Sequence, residues 1–329
     1  MAQGESCRYR CREMRLPTGE VALSLEDARA GLDALVVPAR GAVLESFGVR
    51  DGAHGRRELL FPAEHFEQGG GAPVLFPVTG RSLCDGELGS YRHRGTVRPM
   101  PLHGFAHSLP WEVVAADADS RSAFVTCALA ASEATWAIYP YAFRLALTYR
   151  LRDGLLLLEA VVENPGPDPL PFHLGYHPYF RMPVHPEGDR RRCRMRVPSA
   201  ATWELANLCA TGRRLPMAPG TAYDPERALG EETMDRVFAD LRPEPDTGRV
   251  VCWARDPDAE ITVAVEYDPE TFPVFVVYTS PAGPYVCLEP WTGLPGGLGD
   301  DTPAGQGARR VPPGGRFTSE VAVRVTAGR

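Results

Sequence analysis

Lysine is absent from this sequence: all 35 of its Lys-plus-Arg positions are arginine. A GC-rich coding genome explains that as readily as any function. Also missing are the short patterns that mark common cofactor and nucleophile chemistries. With no Gly-rich phosphate loop, no HExxH and no GxSxG, a nucleotide cofactor or a zinc hydrolase lacks support. The eight cysteines (Cys7, Cys11, Cys84, Cys127, Cys193, Cys209, Cys252 and Cys287) contain no CxxC and are scattered along 329 residues. That fits neither a secreted disulfide framework nor a zinc pattern, and it reads as reduced thiols. No apolar run reaches membrane-spanning length, because Arg, Asp or Pro interrupts each one. The N-terminal MAQGESCRYRCREMRL lacks the apolar core of a signal peptide. The expectation is a soluble, cytoplasmic protein with no membrane partner. A net charge of -7 without a basic face gives no reason to expect nucleic acid.

What the sequence does have is strands. Phe143, Leu145, Leu147, Tyr149 and Leu151 alternate with polar or small residues, as do Ile261, Val263, Val265 and Tyr267, and again Val321, Val323 and Val325. A period of two marks strands with one buried face. FRLALTYRL and LLLLEAVVE (155–163), joined through Arg152-Asp153-Gly154, read as a β-hairpin. Helical periodicity is scarce; residues 225–233, with Asp224 as cap and Pro225 at the first position, are the candidate for one or two turns. The 33 glycines and 32 prolines cluster between the strands. Loops are expected at 164–171, 211–225 and 292–315. The composite expectation is all-β: one large antiparallel β-sandwich domain over residues 1–329.

Four segments put titratable groups among aromatic residues and turn formers: Phe76–Arg81, Leu102–His107, Gly175–Phe180 and Cys287–Trp291. A weaker fifth is Met234–Phe238. In the third, Pro178 biases His177 toward extended backbone, and histidine titrates near neutrality, which suits general acid work. By itself His177 reads first as a packed, hydrogen-bonded histidine. Alternation along YVCLE turns Glu289 toward the Tyr285/Cys287 side, away from Val286 and Leu288. A carboxylate there, beside Trp291, is costly unless bonded or functional; the plain alternative is a strand-end Glu facing water. Trp291 offers a flat apolar face for the C–H side of a sugar. Arg81 can give planar donors to vicinal hydroxyls, and His103, before a Gly-Phe turn, could donate to another. His107 and His173 are lesser candidates. DRRRCRMR (189–196) could attract an anion, but reads first as a solvated hairpin or exposed strand.

In this order and spacing the segments resemble the aldose 1-epimerase (galactose mutarotase) family, in the manner of its divergent bacterial branch. The resemblance runs from Val36–Ala42 to Pro313–Phe317. Its most specific parts are HGFAH (103–107), GYHPYF (175–180) and LEPWTG (288–293). It implies a galactose mutarotase-like supersandwich, no cofactor and no metal, and the interconversion of α and β anomers of a hexose. The family's catalytic histidine falls on His177 and its catalytic glutamate on Glu289. Substrate-binding roles fall on Arg81 and His103, and by a looser match on Asp235 before a Val-Phe pair. Trp291 joins them from its own chemistry. Two departures stand out: His107 where many relatives carry Arg, and Leu294–Gly297 where relatives often carry an Asp, leaving Asp300 and Asp301 as candidates for that acid.

The implied chemistry uses Glu289 as base on the C1 hydroxyl and protonated His177 as acid on the ring oxygen, one on each side of a pyranose. Two alternatives stay open. A hexose-6-phosphate 1-epimerase would need arginines at the pocket mouth, for which Arg81, Arg92 and Arg94 are the candidates. A non-catalytic carbohydrate-binding protein would share the fold without turnover. The expected partner is a small-molecule sugar, on a monomer or homodimer.

Overall fold

The computed structural model describes residues 7–328 except 53–54, 63–69, 219, 232, 281–282 and 300–307. Every pairing between its named strands is antiparallel. A nine-stranded sheet forms one layer. Facing it are an eight-stranded sheet, which carries Met234–Leu241, Val274–Thr279 and Tyr285–Trp291, and a five-stranded meander running from Tyr9–Arg15 to Gly55–Glu58. An isolated bridge between Leu60 and Phe180 ties the meander to the eight-stranded sheet. The layers meet through stacked rings: Tyr267 of the nine-stranded sheet lies flat on Phe275 of the eight-stranded one, centroids 5.6 Å apart. One apolar cluster runs between them from Tyr9 to Val323. This is the β-sandwich that the alternation implies.

Local chemistry accounts for the elements that were expected. Leu145, Leu147, Tyr149 and Leu151, and opposite them Leu156, Leu158, Ala160 and Val162, are all buried. Arg152 pairs directly with Leu155, so Asp153 and Gly154 form a two-residue turn, and both have positive φ (50° and 76°). That is the geometry an Asp-Gly hairpin turn requires.

Some expectations fail, and two short strands, Leu170–Phe172 and Arg309–Val311, pair where the expected loops 164–171 and 292–315 run. No helix occupies 225–233 among the described residues. Arg227–Ala228 instead pairs as a short strand with Arg194–Met195, and the Leu229 N–H goes to the Cys193 carbonyl, so the backbone bonds sideways rather than to itself. Asp224 caps nothing; its carboxylate holds Arg196 (3.0 Å) and Arg242 (2.7 Å). The stretch taken as a loop from 211 begins as a strand, Cys209–Pro216, in a hairpin with Ser199–Ala206. The arginine run at 189–196 becomes a 3₁₀ turn and a strand. Several of its charges are met within the fold: Arg191 by Asp189, Arg192 by Asp258, Arg196 by Asp224 and Glu244.

Candidate active site

Three adjacent rows of side chains on one face of the eight-stranded sheet build the site. Tyr285–Trp291 is central. On one side it pairs with Val274–Thr279, which pairs with Met234–Leu241; on the other lie Gly175–Tyr176 and Tyr179–Arg181. Pairing puts Val274, Trp291 and Gly175 in one row and Val237, Val276 and Glu289 in the next. Asp235, Tyr278, Cys287 and Tyr179 make the third. Gly175 faces Trp291 and Tyr179 faces Cys287 in a single register, so the residue falling opposite Glu289 is His177. The ladder opens at that step because Pro178 has no N–H to give and the His177 N–H goes to the Pro73 carbonyl at 3.1 Å. Gly175 is needed for packing: a Cβ there would sit 2.7 Å from Trp291 Cδ1.

All residues of these rows but Val274, Gly175 and Cys287 line a cavity of about 600 Å³, the range that holds a small ligand. All six residues singled out from the sequence line it: His177, Glu289, Arg81, His103, Asp235 and Trp291. His177 Nε2 lies 3.3 Å from Glu289 Oε1, with His177 6% and Glu289 0% exposed. The pair is therefore in direct contact, not set on two sides of a ring. Trp291 Nε1 donates to Glu289 Oε2 at 3.1 Å, and the His177 ring stacks on Tyr179 with centroids 4.6 Å apart.

Burial decides how the pair holds protons. It pushes the Glu289 carboxyl well above its ordinary range, with the Asp235 charge adding to the rise and the Trp291 N–H opposing it. It pulls His177 down to about 3. Both shifts disfavour the ion pair, so the proton the two residues share rests on the carboxyl. His103 has a positive φ of 62°, a costly conformation for a non-glycine, and is held there by the Gly80 N–H donating to its Nδ1 at 3.0 Å. That bond leaves the proton of neutral His103 on Nε2, as a donor; burial, then the charge of His177, keeps its pKa well below normal. Asp235 is solvent-accessible, but the concave walls around it raise its pKa while Arg81 opposes the rise.

Other candidates fall elsewhere. His173 is buried beneath the site, its Nδ1 3.2 Å from Thr79 Oγ1, which itself donates to the Gly293 carbonyl. His107 sits in a 3₁₀ turn at Ala106–Ser108, outside the cavity lining. Arg92 pairs with Asp85, and Arg94 lies 2.7 Å from Asp168; neither lines the cavity. Asp300 and Asp301 lie outside the described residues. Sequence reasoning missed Tyr179, Tyr278, Leu205 and Leu208 as lining residues. Tyr179 could have been found, since it lies two positions after His177. Leu205 and Leu208 could not, because they lie at the tip of a hairpin, Ser199–Ala206 with Cys209–Pro216, that only the fold brings to the cavity.

Compared with known proteins, the sequence matches the profile of the aldose 1-epimerase family over residues 24–324. It is 29% identical over 130 residues to a Salmonella typhimurium protein that carries the provisional name glucose-6-phosphate 1-epimerase. That match covers 36% of this chain, and the chain spans 40% of that relative's length. The fold superimposes on the Slr1438 protein of Synechocystis sp. PCC 6803 with a TM-score of 0.75, at 25% identity over all of both chains. A galactose mutarotase-like protein from Clostridium acetobutylicum gives a TM-score of 0.82, at 18% identity, over 98% of this chain and 99% of that one.

Proposed function

The chain belongs to the aldose 1-epimerase family, and from that premise we propose that it is a cytoplasmic, single-domain mutarotase that interconverts the α and β anomers of an uncharged hexose. The observation that carries this reading is the contact between His177 and Glu289 in the wall of a cavity large enough for a hexose. The two oxygens that must exchange protons, O1 and O5, are both bonded to C1. A single acid–base pair in mutual contact can therefore reach both. In ring opening Glu289 takes the O1 proton, the C1–O5 bond breaks as the aldehyde forms, and His177 gives a proton to O5. This leaves Glu289 protonated and His177 neutral, the state that burial favours. Rotation about C1–C2 and the reverse transfer close the ring as the other anomer and restore the starting state. The two distributions of one proton over the pair are thus the start and end of each half-reaction, the ion pair being the less populated of the two. Arg81, His103 and Asp235 orient the hydroxyls, and Trp291 packs on the ring.

Charge favours an unphosphorylated sugar. Among the described lining residues Arg81 is the single arginine and stands with the Asp235 carboxylate, while the His177–Glu289 pair with its one proton carries no net charge. A phosphate dianion would meet no second arginine among the described lining residues. Polarimetry and NMR on freshly dissolved α-D-glucose, α-D-galactose and glucose 6-phosphate test both parts. The free sugars are expected to equilibrate faster than in buffer and the phosphate more slowly than they do. His177→Asn and Glu289→Gln are expected to lose about 10²–10⁴-fold in kcat. If neither sugar nor phosphate is accelerated, the protein is a binder without turnover; if the variants keep full rate, the pair is wrongly assigned.

A further inference from the structure

Cys287 is fully buried, lies in the row next to Glu289, and takes no part in the proton transfers above. One ligand atom from each of His177, Cys287 and Glu289 falls within 4.8 Å of the other two. A tetrahedral zinc with bonds of about 2.0–2.1 Å to nitrogen and oxygen holds those two atoms roughly 3.4 Å apart. His177 Nε2 and Glu289 Oε1 are already 3.3 Å apart. Glu289 Oε1, though buried, accepts no hydrogen bond. Imidazole, thiolate and carboxylate make a donor set that suits a borderline-soft cation, and since His177 and Glu289 also line the cavity, a water there can take the fourth position.

We propose that His177, Cys287 and Glu289 form a site for a thiophilic divalent cation, with Zn²⁺ the best fit, and that occupancy by metal and turnover of sugar exclude each other. On binding, the Cys287 thiol releases its proton to solvent and the Glu289 carboxyl gives up the proton that the pair holds. Neutral His177 contributes its lone pair, and a water in the cavity completes the tetrahedron. The metal then occupies both groups that move protons, so it inhibits. The inhibition rests on the acid–base role of His177 and Glu289; the binding does not.

Co²⁺ added to protein carrying Cys7→Ser and Cys11→Ser, which removes the two more accessible thiols, is the probe. The expected result is a sulfur-to-cobalt charge-transfer band at one ion per chain, absent after Cys287→Ser or Cys287→Ala. In parallel, Zn²⁺ is expected to slow mutarotation reversibly, with EDTA restoring the rate. The Cys287 variants should keep basal activity and need at least about 10-fold more Zn²⁺ for the same inhibition. A missing band, or a band that survives both Cys287 substitutions, overturns the site. A Cys287-dependent band with unimpaired mutarotation keeps the site and overturns the acid–base roles instead.

Discussion

At Glu289 burial and hydrogen bonding pull in opposite directions. Removing a carboxylate from water costs several kcal/mol unless it is neutral or bonded. The Trp291 indole supplies the single donor observed on Glu289 and so favours the charged form that a base must adopt. Trp291→Phe keeps an aromatic face for the sugar and deletes that donor. The Glu289 pKa should then climb further. In a pair that works with one proton the higher apparent pKa is that of Glu289, so the alkaline limb of the kcat/KM profile should move to higher pH, with a fall in kcat of about 10-fold as the reactive carboxylate–imidazolium form becomes scarcer. A pH–rate profile by polarimetry checks this, and an unmoved alkaline limb would show that the indole N–H has no such role. The same indole explains why a Trp stands two residues after the Glu: on a strand, that spacing keeps both side chains on one face.

Among the elements, the short turn at His103-Gly104 does the most to shape the site. The Phe76 carbonyl accepts from the N–H groups of both Phe105 (3.0 Å) and Ala106 (3.2 Å), clamping this turn against the end of the Val74–Leu75 strand. Gly104 has φ 76°, and a Cβ on it would lie 2.2 Å from the Phe76 carbonyl oxygen. Gly104→Ala should therefore cost on the order of 1–3 kcal/mol of stability or more. Because His103 precedes it, KM should rise as well. Thermal unfolding together with Michaelis–Menten analysis tests the pair of effects; a variant of unchanged Tm and KM would contradict the clamp. The HGFAH motif was legible as a candidate, but not the reason for its glycine. That reason is the Phe76 backbone, which only the fold brings there. The failed helix at 225–233 has the same origin: Asp-Pro is a sound local start signal, but the carbonyl of Cys193 and two arginines claimed its groups.

For the molecule as a whole, buried histidines set the acid limit of the fold. Burial lowers His107 and His173 to about 4 and holds His103 well below its ordinary value. In the unfolded chain all three titrate near pH ~6.5. Above that value they are neutral in both states and contribute no pH dependence. As pH falls below it, the unfolded state takes up protons that the folded state refuses, so stability drops until the folded pKa values are reached. Each group contributes a slope of at most about 1.4 kcal/mol per pH unit. His177 and Glu289 add little between pH ~4.3 and ~6.5, because the folded pair and its unfolded counterparts each hold one proton. Urea unfolding at a series of pH values from 7 to 4.5 should show this decline. His173→Gln should flatten it by about one proton's worth, and an unaltered slope would mean that His173 is not held neutral.

The sequence alone determined which face each strand buries, because side chains alternate regardless of what the strand pairs with. It determined the Asp153-Gly154 turn, because two consecutive residues at positive φ suit few residue types. It also nominated His177, Glu289, Arg81, His103, Asp235 and Trp291. What it could not set is register. That His177 falls opposite Glu289, that Cys287 lies one row away, and that Leu205 and Leu208 line the same cavity depend on pairings between segments far apart in the chain. Those pairings are chosen by burial of the whole sandwich, since sliding a strand by one residue would turn every buried side chain outward. The same burial moved the shared proton onto Glu289, so the protonation of the pair, like its geometry, was decided by the tertiary structure.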